Sequence, residues 1–418
     1  MNRLERIFSA RGPLAARLER YRRRKAQVQM ARAVQATIDR GGVLLAEAGT
    51  GTGKTLAYLV PAILSGLRVI VSTGTRNLQE QIFFKDIAFL EDALGEPIAA
   101  ACLKGQENYL CRRRLHAFLA SPRCLAYPAT KVAALRDWGR TTLSGDRMEL
   151  AAIGDDDPLW QEVCSTRETR LGPTCPFHEE CHVTAARQAA AEARLIVVNH
   201  HLYFADRAVR RAGGEILPEH QVLVFDEAHL VEDVATEFFS TRVSSGRVDR
   251  LLDETARILN AALLNNDPTA ASRDRNLAAA RALAEALFSS LAGPAGRRSF
   301  DPLAAGIADS RDRLRLDAAL EAVEQSLRIL EGRDPELDHL ARRHGDLRRD
   351  LATVLDRPLA GHVHWLETRK RGVVAGASPI DIADTVREEV FFAVPSVILT
   401  SATLSTGGDF SYLRSRLG

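Results

Sequence analysis

Cysteine is scarce in this chain, with six residues among 418. That is too few for a disulfide-stapled scaffold, and in a reducing compartment clustered cysteines more often serve metals or redox chemistry. Long apolar runs are also missing. No stretch approaches the roughly 20 uninterrupted apolar residues of a membrane span. The segment Met1–Lys25 is too charged to contain the apolar core of a secretory signal. The expected location is therefore the cytoplasm, without membrane contact. Internal repeats and low-complexity tracts are absent as well. Net charge is only +2, so no overall field points to a polyanionic partner. The charge is uneven, however: Met1 to Arg32 holds ten Arg or Lys against two Glu. Such a cluster suits either a solvated basic helix or contacts to a phosphate backbone, and charge alone does not choose between them.

Apolar residues make up 46% and charged residues 26%, an ordinary globular balance. The length implies several domains. Short runs of Val, Ile and Leu recur at Val43–Ala46, Val69–Val71, Leu195–Val198, Val222–Phe225 and Val397–Leu399. Continuous apolar runs of this length predict strands buried on both faces of a parallel sheet, with helices between them. The fold class is α/β. Two of the gaps between strands are too long for simple crossovers. One, between Val71 and Leu195, holds all six cysteines. The other, between Phe225 and Val397, is rich in Ala, Leu and Arg. Its residues Leu316, Leu320, Val323, Leu327 and Leu330 fall at helical spacing, so this part is expected to be all-α. Asp267–Pro268, Gly293–Pro294 and Asp301–Pro302 are its expected inter-helix loops.

The segment Ala46-Glu-Ala-Gly-Thr-Gly-Thr-Gly-Lys-Thr55 follows one predicted strand and precedes the helical pattern Leu56–Leu64. It fits the phosphate-binding P-loop, with Ala48 in the first position. Gly49, Gly51 and Gly53 let successive backbone N–H groups turn toward phosphate oxygens. Thr50 and Thr52 complete the loop. Lys54 would reach the β- and γ-phosphates of ATP and Thr55 would hold Mg²⁺. A glycine-rich turn capping a helix is the bland alternative. The acidic half of such a site is supplied by Val222-Leu-Val-Phe-Asp-Glu-Ala-His229. Asp226 would hold Mg²⁺ through water, Glu227 would orient or deprotonate the attacking water, and His229 would couple the ATP site to the next part of the chain. An Asp-Glu pair at a strand end is often only a solvated turn; the P-loop gives it meaning.

These two motifs, with Thr400-Ser-Ala-Thr-Leu404 after them, resemble a superfamily-two helicase of the XPD/DinG branch, and within it the YoaA-like bacterial members. The resemblance extends over the whole chain. It implies that Tyr21 and Arg24 through Gln27 form an adenine-reading motif, with Arg24 and Gln27 among the nucleotide contacts. It also implies that Thr73-Gly-Thr-Arg-Asn-Leu-Gln-Glu-Gln81 touches single-stranded DNA, with Thr73, Thr75 and Asn77 as candidate backbone contacts. Val198-Asn-His-His-Leu202 and Trp365 through Asp381 share the same family pattern. By this resemblance the organisation is residues 1–103, motor domain one; 104–187, an iron–sulfur domain; 188–230, the Asp-Glu-Ala-His part; 231–359, a helical arch; and 360–418, the end of the motor domain.

Four cysteines line up as Cys111-x52-Cys164-x10-Cys175-x5-Cys181. By resemblance they ligate a [4Fe–4S] cluster that staples a loop-rich domain. Relatives place the second ligand in Cys-Leu-Gly, where this chain has Arg170-Leu-Gly172, and Cys164 is the natural substitute. Cys175, His178, Cys181 and His182 are alternatively a zinc donor set, and buried metal-free thiols are a third reading. Cys124 is a reserve ligand and Cys102 a strand or core residue. Tyr109 is either a base-stacking residue or a core aromatic.

The family's Gln-x-x-Gly-Arg-x-x-Arg element, which supplies the second motor domain's arginines, is absent from the 418 residues. A fragment that binds ATP and DNA weakly and hydrolyses ATP poorly alone is expected. For the intact protein the resemblance implies ATP-driven 5′ to 3′ movement on single-stranded or forked DNA in repair or replication. Two rival classes are a non-motor, ATP-switched DNA-binding protein and a redox-responsive binding module.

Overall fold

The computed structural model describes residues 2–19, 21–49, 51–154, 157–211, 214–262, 270–370 and 372–418. The chain divides into two compact units: Met1–Arg167 with Pro176–Phe238 and Ile382–Gly418, and Glu168–Cys175 with Phe239–Asp381. Among the described residues the strands are β1 (Gly42–Glu47), β2 (Val69–Thr73), β3 (Ala100–Cys102), β4 (Leu195–Asn199), β5 (Val222–Asp226), β6 (Thr241–Ser244), β7 (Gly296–Ser299), β8 (His362–Arg369), β9 (Gly372–Pro379) and β10 (Ser396–Ser401).

The first unit is built on a six-stranded sheet in the order β1-β10-β5-β2-β4-β3, with every neighbouring pair parallel. All five apolar runs read from the sequence lie in it. Every residue of β2, β5 and β10 is buried, which is why these strands read as unbroken apolar runs. The helices Lys25–Arg40 and Lys54–Ser65 share one apolar cluster with the sheet. Val28, Ala31 and Val34 meet Ala57, Leu59 and Val60 over Val69, Val71, Val224 and Ile398. Each fully buried Val or Leu contributes about 1.5–3 kcal/mol. β10 comes late in the chain but inserts between β1 and β5. Its C-terminal end therefore emerges between the P-loop and the acidic pair, at the edge where parallel sheets bind ligands.

The second unit carries the helices Ser245–Ala262, Ala270–Ser290, Arg311–Arg328 and Pro335–Leu355, together with a four-stranded sheet in the order β6-β9-β8-β7. Leu316, Leu320, Val323 and Leu327 lie on one helix, Arg311–Arg328, and are buried in its core with Leu330 just beyond. Gly293–Pro294 and Asp301–Pro302 fall between helices; Asp267–Pro268 lies outside the described residues. The stretch 231–359 is not all-α. β6 and β7 lie within it and pair antiparallel with β9 and β8. Their sequences, Thr-Arg-Val-Ser and Gly-Arg-Arg-Ser, are short and polar because both are edge strands, and their partners come only after residue 361. No helix among the described residues is long and apolar enough to cross a membrane.

Candidate nucleotide site and cysteine region

The P-loop leaves β1 and enters the helix Lys54–Ser65 through two left-handed glycines, Gly51 (φ 75°) and Gly53 (φ 81°). A side chain at either would be strained. At Gly53 there is also no room, because a Cβ would stand 2.2 Å from Gln27 Nε2. That amide donates to the Gly53 carbonyl at 3.0 Å. Gln27 is buried and pins the loop; Arg24, beside it, is exposed. Tyr21 Oη donates to the Phe8 carbonyl. Space around Gly49 and Gly51 is open. Thr52 Oγ1 donates to the Gly49 carbonyl at 2.8 Å, closing the turn. Ala48 packs against the core below, and Thr50 lies outside the described residues.

The acidic pair stands across from the lysine. Lys54 Nζ is 3.7 Å from Glu227 Oε1. Asp226 ends β5 almost fully buried, and burial raises its carboxyl pKa to about 6; Glu227 adds to the rise and Lys54 opposes it. Tyr58, one turn after Lys54, is fully buried with its hydroxyl beside Thr55 and Asp226. Glu227 is the one described non-glycine residue with a left-handed backbone, at φ 56°. Strain of this kind at a charged residue often marks function. Ser401 Oγ donates to Glu227 Oε2 at 3.2 Å, and His229 Nδ1 is 2.8 Å from the same hydroxyl. With the serine proton on Glu227, His229 is the donor in that second bond. β1 and β10 are tied similarly: Glu47 Oε2 accepts the Leu404 and Ser405 N–H groups at 2.7 and 2.5 Å.

The loop after β2 reaches the same place. A Cβ on Gly74 would sit 2.6 Å from Leu230 Cδ1 and 3.6 Å from Glu227 Cβ. Thr73 is fully buried, so its side chain is no surface contact. Thr75 is exposed and its hydroxyl caps the helix Arg76–Glu80 by accepting from Leu78 N, while Asn77 is exposed. His200 lies between these groups. Its Nδ1 is 2.7 Å from Ser72 Oγ, its ring packs on Phe225, and it lies against the Asp226 and Glu227 backbone. Burial pushes its pKa down to about 3, so the ring is neutral. Sequence reasoning finds the Asn-His-His motif and Ser401 without giving either a role, and misses Tyr58 and Glu47. The signal for Tyr58 is its position four residues after Lys54, on the same helix face.

Comparisons with known proteins now bear on this geometry. Residues 26–135 match the DEAD/DEAH box helicase family and residues 160–248 the DEAD_2 family. The chain is 33% identical over 422 residues to the ATP-dependent DNA helicase YoaA of Haemophilus influenzae, covering 100% of this chain and 65% of that protein. Its identity to Escherichia coli YoaA is 34% over 413 residues, covering 98% and 64%. The ATP-dependent helicase DinG of Mycobacterium tuberculosis is 33% identical over 432 residues, covering 95% and 62%. The chain thus carries matches to the DEAD/DEAH box helicase and DEAD_2 families and is similar to the YoaA and DinG helicases. It spans just under two thirds of the length of these relatives.

This similarity makes the cysteines the next question. Cys111 caps the helix Arg112–Leu119 and Cys181 the helix His182–Glu192, both half-buried. Cys175, also half-buried, has its N–H on the Gly172 carbonyl. Cys164 is completely buried in an apolar cluster with Leu110, Leu115, Phe118, Leu159 and Trp160, and Cys124 packs against the same cluster. Burial pushes the Cys164 thiol pKa up, away from the thiolate that ligation needs. His182 is buried with Nδ1 facing the Leu143 carbonyl. Among the described residues no group of three or more Cys, His, Asp or Glu side chains is arranged to hold a metal ion. The donor chemistry suits a cluster, but the placement of Cys164 does not fit one. Tyr109 is a core aromatic, buried with its hydroxyl accepting the Lys104 N–H. Lys104 itself is buried between Glu80 and Asp146, at 2.5 and 2.6 Å. Cys102 lies on β3, and burial raises its thiol pKa to about 12.

Proposed function

We propose that this chain binds and hydrolyses Mg–ATP as a motor domain of an ATP-dependent DNA helicase moving 5′ to 3′ on single-stranded or forked DNA. The observation that carries the reading is the meeting of three strand ends: Lys54 after β1, Asp226 at the end of β5 with Glu227 next to it, and Ser401 at the end of β10. Lys54 and the Gly51–Gly53 backbone cradle phosphates. Thr55 and Asp226 hold Mg²⁺, which supplies charge neutralisation on the phosphate oxygens. Glu227, held by Ser401 and by the left-handed backbone, orients the attacking water and takes its proton. Gln27 keeps the loop in register under the nucleotide. Gly74 lies close to Glu227, and this approach offers a path for coupling strand grip at Thr75 and Asn77 to turnover. The YoaA and DinG relatives, named as helicases, support the same assignment. The test is phosphate release with and without single-stranded DNA, for the native chain and for Glu227→Gln. DNA-stimulated release that falls about a hundredfold or more in the variant supports the reading. Release unaffected by the substitution sinks it.

A further inference from the structure

We infer that Cys164 is a core residue of the cysteine-rich insertion and not a ligand of an iron–sulfur cluster. Leu110 and Cys164 face each other across an isolated antiparallel bridge. The bonds on either side, Cys111 N to Val163 O at 2.9 Å and Ser165 N to Tyr109 O at 2.8 Å, make them the close, non-hydrogen-bonded pair. Side chains of such a pair project to one face. That face is the apolar cluster, where Leu110 is 1% and Cys164 0% exposed. Tyr109, Leu110 and Cys111 run extended, so their side chains alternate and Cys111 leaves on the opposite face, with Tyr109. The two thiols therefore diverge from one short ladder. Turning Cys164 to the Cys111 side requires a one-residue slip that would carry Leu110 or Cys164 out of the core. Arg114 holds the register: its Nη1 donates to the Cys164 carbonyl at 2.5 Å and lies 4.0 Å from the Cys164 sulfur, and its Nη2 donates to the Gln161 carbonyl at 2.6 Å.

The insertion also has the means to hold itself together. Trp160 is buried among leucines and donates to the Glu107 carbonyl at 2.7 Å. Lys131 pairs with Asp157, Arg123 and Tyr127 with Glu162, and Glu149 accepts from Trp138, Thr142 and Ser144. Cys124, the reserve ligand, packs against the same apolar cluster as Cys164.

The test is anaerobic reconstitution with ferrous iron and sulfide, then iron counting, for the native chain, Cys164→Ala, Cys164→Val and Cys111→Ala. Melting of the iron-free proteins is measured in parallel. The inference expects the native chain, Cys164→Ala and Cys164→Val to hold the same iron, whether about four atoms or none. It also expects iron-free Cys164→Ala to melt about 3 °C or more below the native chain, with Cys164→Val closer to it and Cys111→Ala unchanged. Iron bound by the native chain and lost from a folded Cys164→Val would overturn it. So would iron-free melting that is indifferent to Cys164 but lowered by Cys111→Ala.

Discussion

Lys104 offers the sharpest perturbation of the fold around the site. Its side chain is 2% exposed, and the ammonium bonds Glu80 at 2.5 Å and Asp146 at 2.6 Å. Glu80 ends the helix Arg76–Glu80 and Asp146 lies in the cysteine-rich insertion, so this one cation fastens the two together. Burial alone would lower its pKa, but the bonds from Asp146 and Glu80 outweigh it and hold the pKa above the usual lysine value. Because the folded pKa is raised, the contribution is complete below the unfolded lysine pKa and is lost only as alkaline pH passes the folded value. Lys104→Met keeps most of the side-chain volume and removes the charge, leaving two carboxylates together without a counter-ion. Breaking a buried pair in this way costs about 3–5 kcal/mol. The carboxylates are 22% and 18% exposed, which places the expectation near the lower end. Hydrogen exchange at Leu103, Tyr109 and Glu80 amides reads the local opening directly. Exchange there should accelerate by about a hundredfold at pH 7. Lys131→Met, which removes a pair whose lysine is 40% exposed, should cost under about 1 kcal/mol. Equal effects from the two substitutions would refute the reasoning.

Gly53→Ala combines a left-handed backbone with a clash on Gln27; nucleotide titration should show at least about tenfold weaker Mg–ATP binding, whereas Gly49→Ala, in open space, should change it far less. His200→Ala removes the ring between Ser72 and the Glu227 backbone; kcat should fall about tenfold or more with KM for ATP within about twofold, and a parallel loss of both would mean a general folding defect. In the second unit Thr255 Oγ1 donates to the Leu251 carbonyl, so His344 Nε2–H donates to Thr255 and Nδ1 is bare and unpartnered. Burial, helped by Arg343 and opposed by Glu324, pushes the His344 pKa down to about 4. A depressed histidine pKa means the unfolded chain binds the extra proton, so stability is full above pH 6.5 and falls by about 3 kcal/mol on the way to pH 4. Urea unfolding of His344→Leu should lose much of that acid sensitivity.

The parallel sheet was legible because strands buried on both faces leave unbroken apolar runs, and the P-loop because its glycines and lysine are tied to one backbone shape. β3 was too short to register as a run, and β6 and β7 are polar edge strands whose partners lie more than 60 residues away in the chain. The spacing of Cys111, Cys164, Cys175 and Cys181 says nothing about which face each thiol takes. That is decided by the Leu110–Cys164 pairing across 54 residues. Gln27 and Thr73 are assigned from pattern alone; the structure buries both, one under the P-loop and one at the end of β2. His200 has a visible motif but no visible partner, because Ser72 and Glu227 come to it only through the strand order.

The central claim is that the strand ends of β1, β5 and β10 form a nucleotide site. Calorimetric titration of Mg–ATP into the native chain and into Lys54→Ala tests it most directly. Saturable, magnesium-dependent binding that weakens at least about tenfold without the lysine is the predicted result. A folded native chain that binds no nucleotide, or a variant that binds as well as the native chain, would contradict it.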